Sequence, residues 1–495
     1  MHAIPPLGIP FWTVLHLAGF SWVVLHCLRH RREPISTLLW MVAAWSLPIL
    51  GFLLYLMFGI TRVRRKTWKK ESANQRLRAV RQEQESETLP LHYWRSLREA
   101  AVSRPEDPQS LRIDTALAQT NPDHVLLRGN HIQLLTTGDE AFPAMLEAIR
   151  SATNHIHLQC FIIGNDPVGR AFMDALAERA EAGVQVRVLF DRFGSTQAVL
   201  SGLFRRYRNI PGLHIQGWSM ARLLKRQFQV NLRNHRKTLV VDGKTAFMGG
   251  INLQEKHRTR PFAPAIRDYH VRLRGPIVHE LQYTFLSDWY YITEESPREL
   301  LKAAHFPTIE WTGHALIRLV NGSPATELDE ICDALFSMIT LAEKSILAST
   351  PYFIPSSDII RALRIAALRG VDVRIIVPRN SNHFYAGLAG RALYEELLDA
   401  GVRIYERHPP FLHGKAMLID DTVAMVGTAN LDIRSLRLNY ETNLAIYDPG
   451  FANQIKEVLL DEISHSEPID LNAWRNRPER HKIIENLCHI LTPML

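Results

Sequence analysis

Cysteine is scarce in this sequence. The four present, Cys27, Cys160, Cys332 and Cys488, lie far apart with no C-x-x-C pair, which excludes a disulfide framework and a cysteine zinc cluster and fits a reducing compartment. No G-x-x-x-x-G-K-[ST] stretch occurs, so a P-loop nucleotide site is excluded. The first ten residues hold neither Lys nor Arg, so the basic opening expected of a cleaved signal peptide is missing although an apolar run follows. Apolar residues are not depleted, at 46% hydrophobic against 22% charged, which argues against intrinsic disorder.

What is there begins with size and charge. A chain of 495 residues predicts two or three structural units. Its net charge of +8 favours an anionic partner, either nucleic acid or an acidic membrane surface, and charge alone does not choose between them.

Two long runs lack formal charge, FWTVLHLAGFSWVVLHCL at 11–28 and TLLWMVAAWSLPILGFLLYLMFGI at 37–60. A spanning helix needs roughly 20 mainly apolar residues, so residues 1–61 read as a transmembrane helical hairpin. His16 and His26 are expected to face a neighbouring helix or the interface rather than lipid, and Pro48 to kink the second helix. Arg62, Arg64, Arg65, Lys66, Lys69 and Lys70 follow the second run, whereas the turn between the runs offers Arg29, Arg31 and Arg32. That balance predicts a cytoplasmic body. Residues 62–124 read as a basic, polar juxtamembrane linker containing a solvated helix.

From about residue 125 strands and helices alternate, and the pattern occurs twice. HIHLQCFII (155–163) precedes ALAERAEAGVQVRVLFD (175–191), and SILASTPYFI (345–354) precedes ALRIAALRGVDVRIIVP (362–378). Each copy gives a strand, a helix closed by Gly183 or Gly370, and a β-branched strand. The duplication predicts two α/β lobes, 125–310 and 311–495, related by an approximate two-fold axis and forming a sandwich.

Each lobe carries one polar trio in the pattern H-x-K-x-x-x-x-D. NHRKTLVVDG holds His235, Lys237 and Asp242, and LHGKAMLIDD holds His413, Lys415 and Asp420. Strand alternation puts each His and Lys on one face. Both copies extend to a Gly and an Asn, as GGIN with Gly249 and Asn252 and as GTAN with Gly427 and Asn430. One match would be weak evidence; two extended matches in duplicated positions are not chance.

These residues are identified as the signature of the phospholipase D superfamily. Together with the hairpin, RDYH at 267–270 and NLDIRSLRLNYETNLAIYD at 430–448, nearly the whole chain resembles the bacterial cardiolipin synthases. Gly250 departs from the superfamily's usual Ser or Thr, which Thr428 keeps in the second lobe.

The resemblance implies a phosphatidyltransferase of the bacterial inner membrane, multi-pass, that joins two phosphatidylglycerol molecules into cardiolipin and glycerol, with no cofactor, no metal and no nucleic acid. Lys237, Lys415, Asn252 and Asn430 would bind the substrate phosphate. One histidine would attack phosphorus and the other would protonate the departing glycerol; the resemblance favours His235 as nucleophile. Asp242 and Asp420 are expected to orient the histidines. Water as acceptor would make the chain a lipid hydrolase, a nucleic-acid donor would make it a nuclease, and phosphatidylethanolamine could replace one lipid.

Other features carry less. Asp268 and His270 read as structural support of the site, and Glu441 and Asn443 as outlying contributors. FRRYRN (204–209) and the basic run 222–237 read as a rim for anionic headgroups. The tail from 471 reads either as an interfacial helix or as packing on the body.

Overall fold

The computed structural model describes residues 8–30, 34–59, 63–86, 102–218, 232–308, 310–324, 329–490 and 492. They form two compact units, Met1–Lys66 and Thr67–Leu495.

In the first unit, helix α1 (Gly8–Arg29) is continuous, and its stretch Phe11–Arg29 is long and apolar enough to cross a membrane. The second apolar run is not one helix. It forms α2 (Pro34–Ser46), then breaks at Pro48, which has no N–H to donate, and resumes as Leu50–Leu54 and Tyr55–Gly59. The break is sharper than the expected kink. The segments still close as a hairpin: the Phe20 and Trp45 rings lie 5.1 Å apart, and the Tyr55 hydroxyl meets His26 Nδ1 at 2.7 Å. His26 thus finds its partner on the neighbouring segment, as its position between apolar residues required. Phe11, Val14, Leu25, Leu38, Leu39 and Val42 face outward, the arrangement of a helix pair solvated by lipid.

The body is organised around one mixed sheet. The first lobe supplies β1 (Leu127–Leu135), β2 (His155–Cys160), β3 (Gln185–Asp191), β4 (Leu213–Trp218), β5 (Thr238–Val241), β6 (Thr245–Gly249) and β7 (His270–Arg274). The second supplies β8 (Ala315–Gly322), β9 (Ser345–Ser349), β10 (Asp372–Pro378), β11 (Arg403–Arg407), β12 (Ala416–Ile419), β13 (Val423–Gly427) and β14 (Asn439–Tyr447). Outward from the centre the first lobe runs β1, β7, β6, β5, β2, β3, β4, and the second runs β8, β14, β13, β12, β9, β10, β11. The antiparallel pair β1–β8 joins them. The two orders are identical, which is the two-fold relation implied by the repeat.

Side chains alternate across this sheet as the strand period requires. Val240 of β5 points to a core shared by both lobes, while Leu239 and Val241 point to the first lobe's own outer core. In β12, Leu418 faces the shared core and Met417 and Ile419 the second lobe's outer one.

Helices α3 (Val63–Ser86) and α4 (Pro108–Thr120) correct the expectation of a solvated linker. Lys70, Ala73 and Leu77 of α3 are buried against α5 (Ile277–Thr293), and Ile113 and Leu117 of α4 enter the second lobe's core. Residues 87–101 lie outside the described residues. So do residues 222–231 of the expected basic rim, whereas 204–209 and 232–237 are described.

Among the other helices of the body, three bear on the site and the tail: α6 (Phe384–Arg391), α7 (Pro449–Ser464) and α8 (Glu479–Ile490). α5 and α7 are equivalent, each following the last strand of its lobe, and each reaches the central strand of the other lobe. α8 lies on α6, so the tail packs on the body through one face.

Candidate active site

The two motif aspartates do not meet the histidines. Asp242 and Asp420 occupy the turns after β5 and β12, both with positive φ, 52° and 51°. Asp242 accepts the backbone N–H groups of Thr153, Asn154 and His155 at 2.8 to 2.9 Å. Asp420 accepts those of Glu343, Lys344 and Ser345 at 2.6 to 2.8 Å. Each carboxylate thereby fastens the far end of its motif strand to the start of β2 or β9. The reason is length: seven extended residues from His to Asp span roughly 23 Å, so the two ends of the motif serve opposite edges of the sheet. Burial alone would raise the Asp242 carboxyl, and the N–H groups aimed at it more than compensate, holding it below the usual range.

The carboxylates that do meet the histidines come from the opposite lobe. His235 donates its backbone N–H to the Tyr440 carbonyl at 2.9 Å, and its Nδ1 lies 2.9 Å from Glu441 Oε2. His413 donates its backbone N–H to the Arg267 carbonyl at 2.7 Å, and its Nδ1 lies 2.6 Å from Asp268 Oδ2. The same pair of contacts thus occurs twice with the lobes exchanged. Asp268 and Glu441, read from sequence as supporting residues, are the direct partners. The sequence signal was their matched place beside β7 and β14, D-x-H in one copy and E-x-N in the other.

Both Nδ1 atoms face carboxylates, which places the neutral ring's proton there and leaves Nε2 with a lone pair. Among the described residues no hydrogen bond reaches either Nε2. Lys237 Nζ donates to the His235 carbonyl at 2.7 Å, and Lys415 Nζ to the His413 carbonyl. Lys415 Nζ also stands 2.9 Å from His413 Nδ1. One nitrogen cannot donate to Asp268 and accept from Lys415 at once; the shorter contact, to a carboxylate, takes the proton.

Burial governs the titration of the whole cluster. It lowers His235 against the pull of Glu441, and with Lys415 it drives His413 down to about 3 despite Asp268. It brings Lys415 to about 7 and lowers Lys237. Burial would raise Asp268, but His413 and Lys415 hold its carboxyl well below the usual range; burial would likewise raise Glu441, and His235 lowers it. The site therefore holds two neutral imidazoles beside two carboxylates and two buried lysines. An entering phosphodiester anion would raise both the histidines and the lysines.

The lobes are not identical. Thr428 donates its hydroxyl to Glu441 Oε2 at 2.5 Å, and Asn439 its amide to Oε1 at 3.1 Å. In the first lobe a Cβ on Gly250 would stand 1.9 Å from Asp268 Oδ1, so the carboxylate occupies the space a serine or threonine would need. Asp268 takes the Tyr269 N–H at 2.9 Å instead.

Of the two asparagines, Asn252 accepts the Ile162 N–H through Oδ1 at 3.2 Å, which leaves its amide group. Asn430 bonds Ser435 at 3.2 Å through Nδ2, while its buried Oδ1 has no partner. Two features had no sequence signal. His257 is buried with its Nδ1 3.9 Å from Asp268 Oδ2. Asp288 on α5 binds Arg236 at 2.6 Å and Asn234 at 2.9 Å, the residues flanking His235, together with Lys70 at 3.0 Å.

Comparison with known proteins agrees with this geometry. The family described as cardiolipin synthase, PLD-like domain, matches residues 145–289 and 335–462, and one described as phospholipase D-nuclease N-terminal matches 20–59. The chain is 35% identical to a cardiolipin synthase of Geobacillus thermodenitrificans, over 99% of this chain and 94% of that one. It is 34% identical to cardiolipin synthase 2 of Bacillus anthracis, over 94% and 88%. The fold is shared with the crystal structure of phosphatidylserine synthase from Haemophilus influenzae at 17% identity, with a TM-score of 0.58 over 77% of this chain and 97% of that one. The two matched lobes, the apolar N-terminal helix and the full-length likeness make this chain a member of the bacterial cardiolipin synthases of the phospholipase D superfamily, a membrane-associated phospholipid phosphatidyltransferase.

Proposed function

We propose that the chain condenses two phosphatidylglycerol molecules into cardiolipin and glycerol through a phosphatidyl-histidine, with His235 as nucleophile. The observation that carries this is the pair of crossed histidine–carboxylate contacts, His235–Glu441 and His413–Asp268, beside two lysines.

Lys237 and Lys415 lie beside the histidines and neutralise the equatorial phosphoryl oxygens, so that a nucleophile can approach an anion. His413 takes up a proton on Nε2 as the phosphodiester anion enters and raises it; neutral His235 Nε2 then attacks phosphorus, the P–O bond to the glycerol headgroup breaks, and His413 delivers the Nε2 proton to the departing oxygen. The headgroup hydroxyl of the second lipid then gives its proton to His413 and attacks the phosphorus, which frees His235. Phosphodiester is exchanged for phosphodiester, so no energy-rich co-substrate enters.

The assignment of His235 as nucleophile and His413 as acid follows the superfamily resemblance. Glu441 also accepts from Thr428 and Asn439, and Asp268 from the Tyr269 N–H, so each histidine keeps one charged partner for its Nδ1. Asp242 and Asp420 hold the strands. We further propose that the chain sits in the bacterial inner membrane as a multi-pass protein with its body in the cytoplasm, a reading supported by the basic residues after the second apolar run.

The test is incubation of the purified protein in detergent with isotopically labelled phosphatidylglycerol alone, followed by mass spectrometry of lipids and alcohol. Cardiolipin with equimolar glycerol is expected. Phosphatidic acid would replace this reading with hydrolysis, and cardiolipin formed only after adding phosphatidylethanolamine would replace the second substrate.

A further inference from the structure

The sequence of α8, ERHKIIENLCHI, places Ile483, Leu487 and Ile490 at i, i+4 and i+7, one stripe of a helix, with Ile484 beside it. In a helix packed only on a protein body this stripe would face the core. Here it faces out, with 64%, 56% and 72% of Ile483, Leu487 and Ile490 exposed. The other face does the packing. Glu485 is buried and pairs with Arg477 at 2.6 Å, and Cys488 lies against Ile354, Ala386 and Ala389.

The helix beneath has an exposed apolar edge of its own. On α6, Phe384 is 74% exposed and Tyr385 lies beside it at a ring distance of 5.7 Å. α6 is seated flush on Phe353–Ile354: a Cβ on its Gly390 would meet the Phe353 carbonyl at 2.6 Å. Phe353–Ile354 pairs in turn with Leu431–Asp432, the residues directly after Asn430 of the second motif. A continuous chain of contacts therefore runs from the reacting groups to the exposed apolar stripe. Arg480 and His481 stand exposed at the first turn of α8.

We propose that α8 and the exposed edge of α6 form a docking surface for an anionic phospholipid bilayer, which holds the mouth of the active site against the lipid. This rests on the lipid-substrate reading above. The histidines are buried in the body, and a diacyl lipid that crossed water to reach them would expose its whole chain surface. Contact between mouth and bilayer removes that exposure, and a helix lying flat with isoleucine and leucine below and arginine at its edge is the form such contact takes.

The experiment uses the full-length chain with Cys488→Ser, reconstituted into vesicles of phosphatidylethanolamine and phosphatidylglycerol. An environment-sensitive fluorophore is attached at Leu487→Cys or, as control, at Leu368→Cys. Leu368 is equally open, at 65%, but lies at the other end of β10: it precedes that strand, whereas α6 follows it. Spin-labelled lipids should quench the probe at 487 and leave the probe at 368 unchanged. Equal behaviour of the two probes overturns the proposal, as does a dimer in detergent that the triple variant Ile483→Ser/Leu487→Ser/Ile490→Ser abolishes, since a second copy would then cover the stripe. The triple variant should lose about tenfold in turnover of vesicle lipid while staying within about twofold in detergent micelles, where lipid is delivered without docking; equal rates in vesicles refute it. Quenching needs no turnover, so a quenched probe on a protein that makes no cardiolipin would sink the substrate reading and leave the docking surface standing.

Discussion

At Gly250 the chain departs from its superfamily, and the departure has a physical cause. A Cβ there would collide with the Asp268 carboxylate, so one lobe positions its carboxylate with a hydroxyl and the other by making room for it. The crossed pairs lead to a direct expectation. Asp268→Asn and Glu441→Gln keep shape but remove the charge that stabilises an imidazolium or fixes the tautomer, and each should lower kcat by about 10²- to 10⁴-fold with little change in KM. Steady-state rates on micellar lipid measure this. The motif aspartates behave oppositely. Asp242→Ala strips three backbone N–H groups of their acceptor and should cost about 1–3 kcal/mol of stability, read as a lowered urea midpoint, while the folded fraction keeps kcat within a few-fold. A kcat collapse with unchanged stability would return Asp242 to the chemistry. Sequence spacing named the right residue types but could not tell which end of a strand each would serve; only the strand's length separates them.

Among the elements, α3 was hardest to read. Its composition is Arg- and Glu-rich, and among the described side chains only Lys70, Ala73 and Leu77 are buried, with Val80 partly so, too narrow a stripe to stand out in such a run. The key to its docking is a charge: Lys70, fully buried, whose ammonium burial pushes down and Asp288 supports. Lys70→Met leaves Asp288 with Arg236, Gln159 and Asn234, and should release α3 to limited proteolysis before the rest of the body, with a loss of about 1–3 kcal/mol. An unchanged digestion pattern would show that the apolar stripe alone holds it. On β2 a second buried cluster sets acid sensitivity. His155, His157 and His305 lie with ring centres 4.8 to 5.3 Å apart. Burial lowers all three, His155 to about 3 and His305 to about 4, with Arg187 and Lys302 adding to the effect and Asp242 opposing it at His155. Because the folded values lie below the unfolded value of about 6.5, their contribution is whole above that pH and is lost as pH falls from about 6.5 toward 4, by up to about 1.4 kcal/mol per pH unit for each histidine. Urea midpoints at pH 7.5 and pH 5 should differ accordingly, and His305→Gln should narrow the gap; identical midpoints would contradict the protonation account.

For the whole molecule, the repeat was legible because two copies of one strand–helix–strand pattern carry the same motif, and the strand order confirms it pair by pair. The crossing was not legible. It arises because β1 and β8 join the lobes edge to edge, which brings the start of β14 alongside His235 and the chain just before β7 alongside His413. Neither half completes a site: each histidine lacks its carboxylate until the other lobe is in place, so both lobes must fold for either histidine to work. The most direct test of this account is to stop the wild-type protein in mid-turnover with alkali, digest it, and search by mass spectrometry for the phosphatidyl adduct. An adduct on the peptide containing His235, absent from His235→Ala, is expected. An adduct on His413, or none under conditions where cardiolipin is forming, would contradict the two-step transfer as assigned.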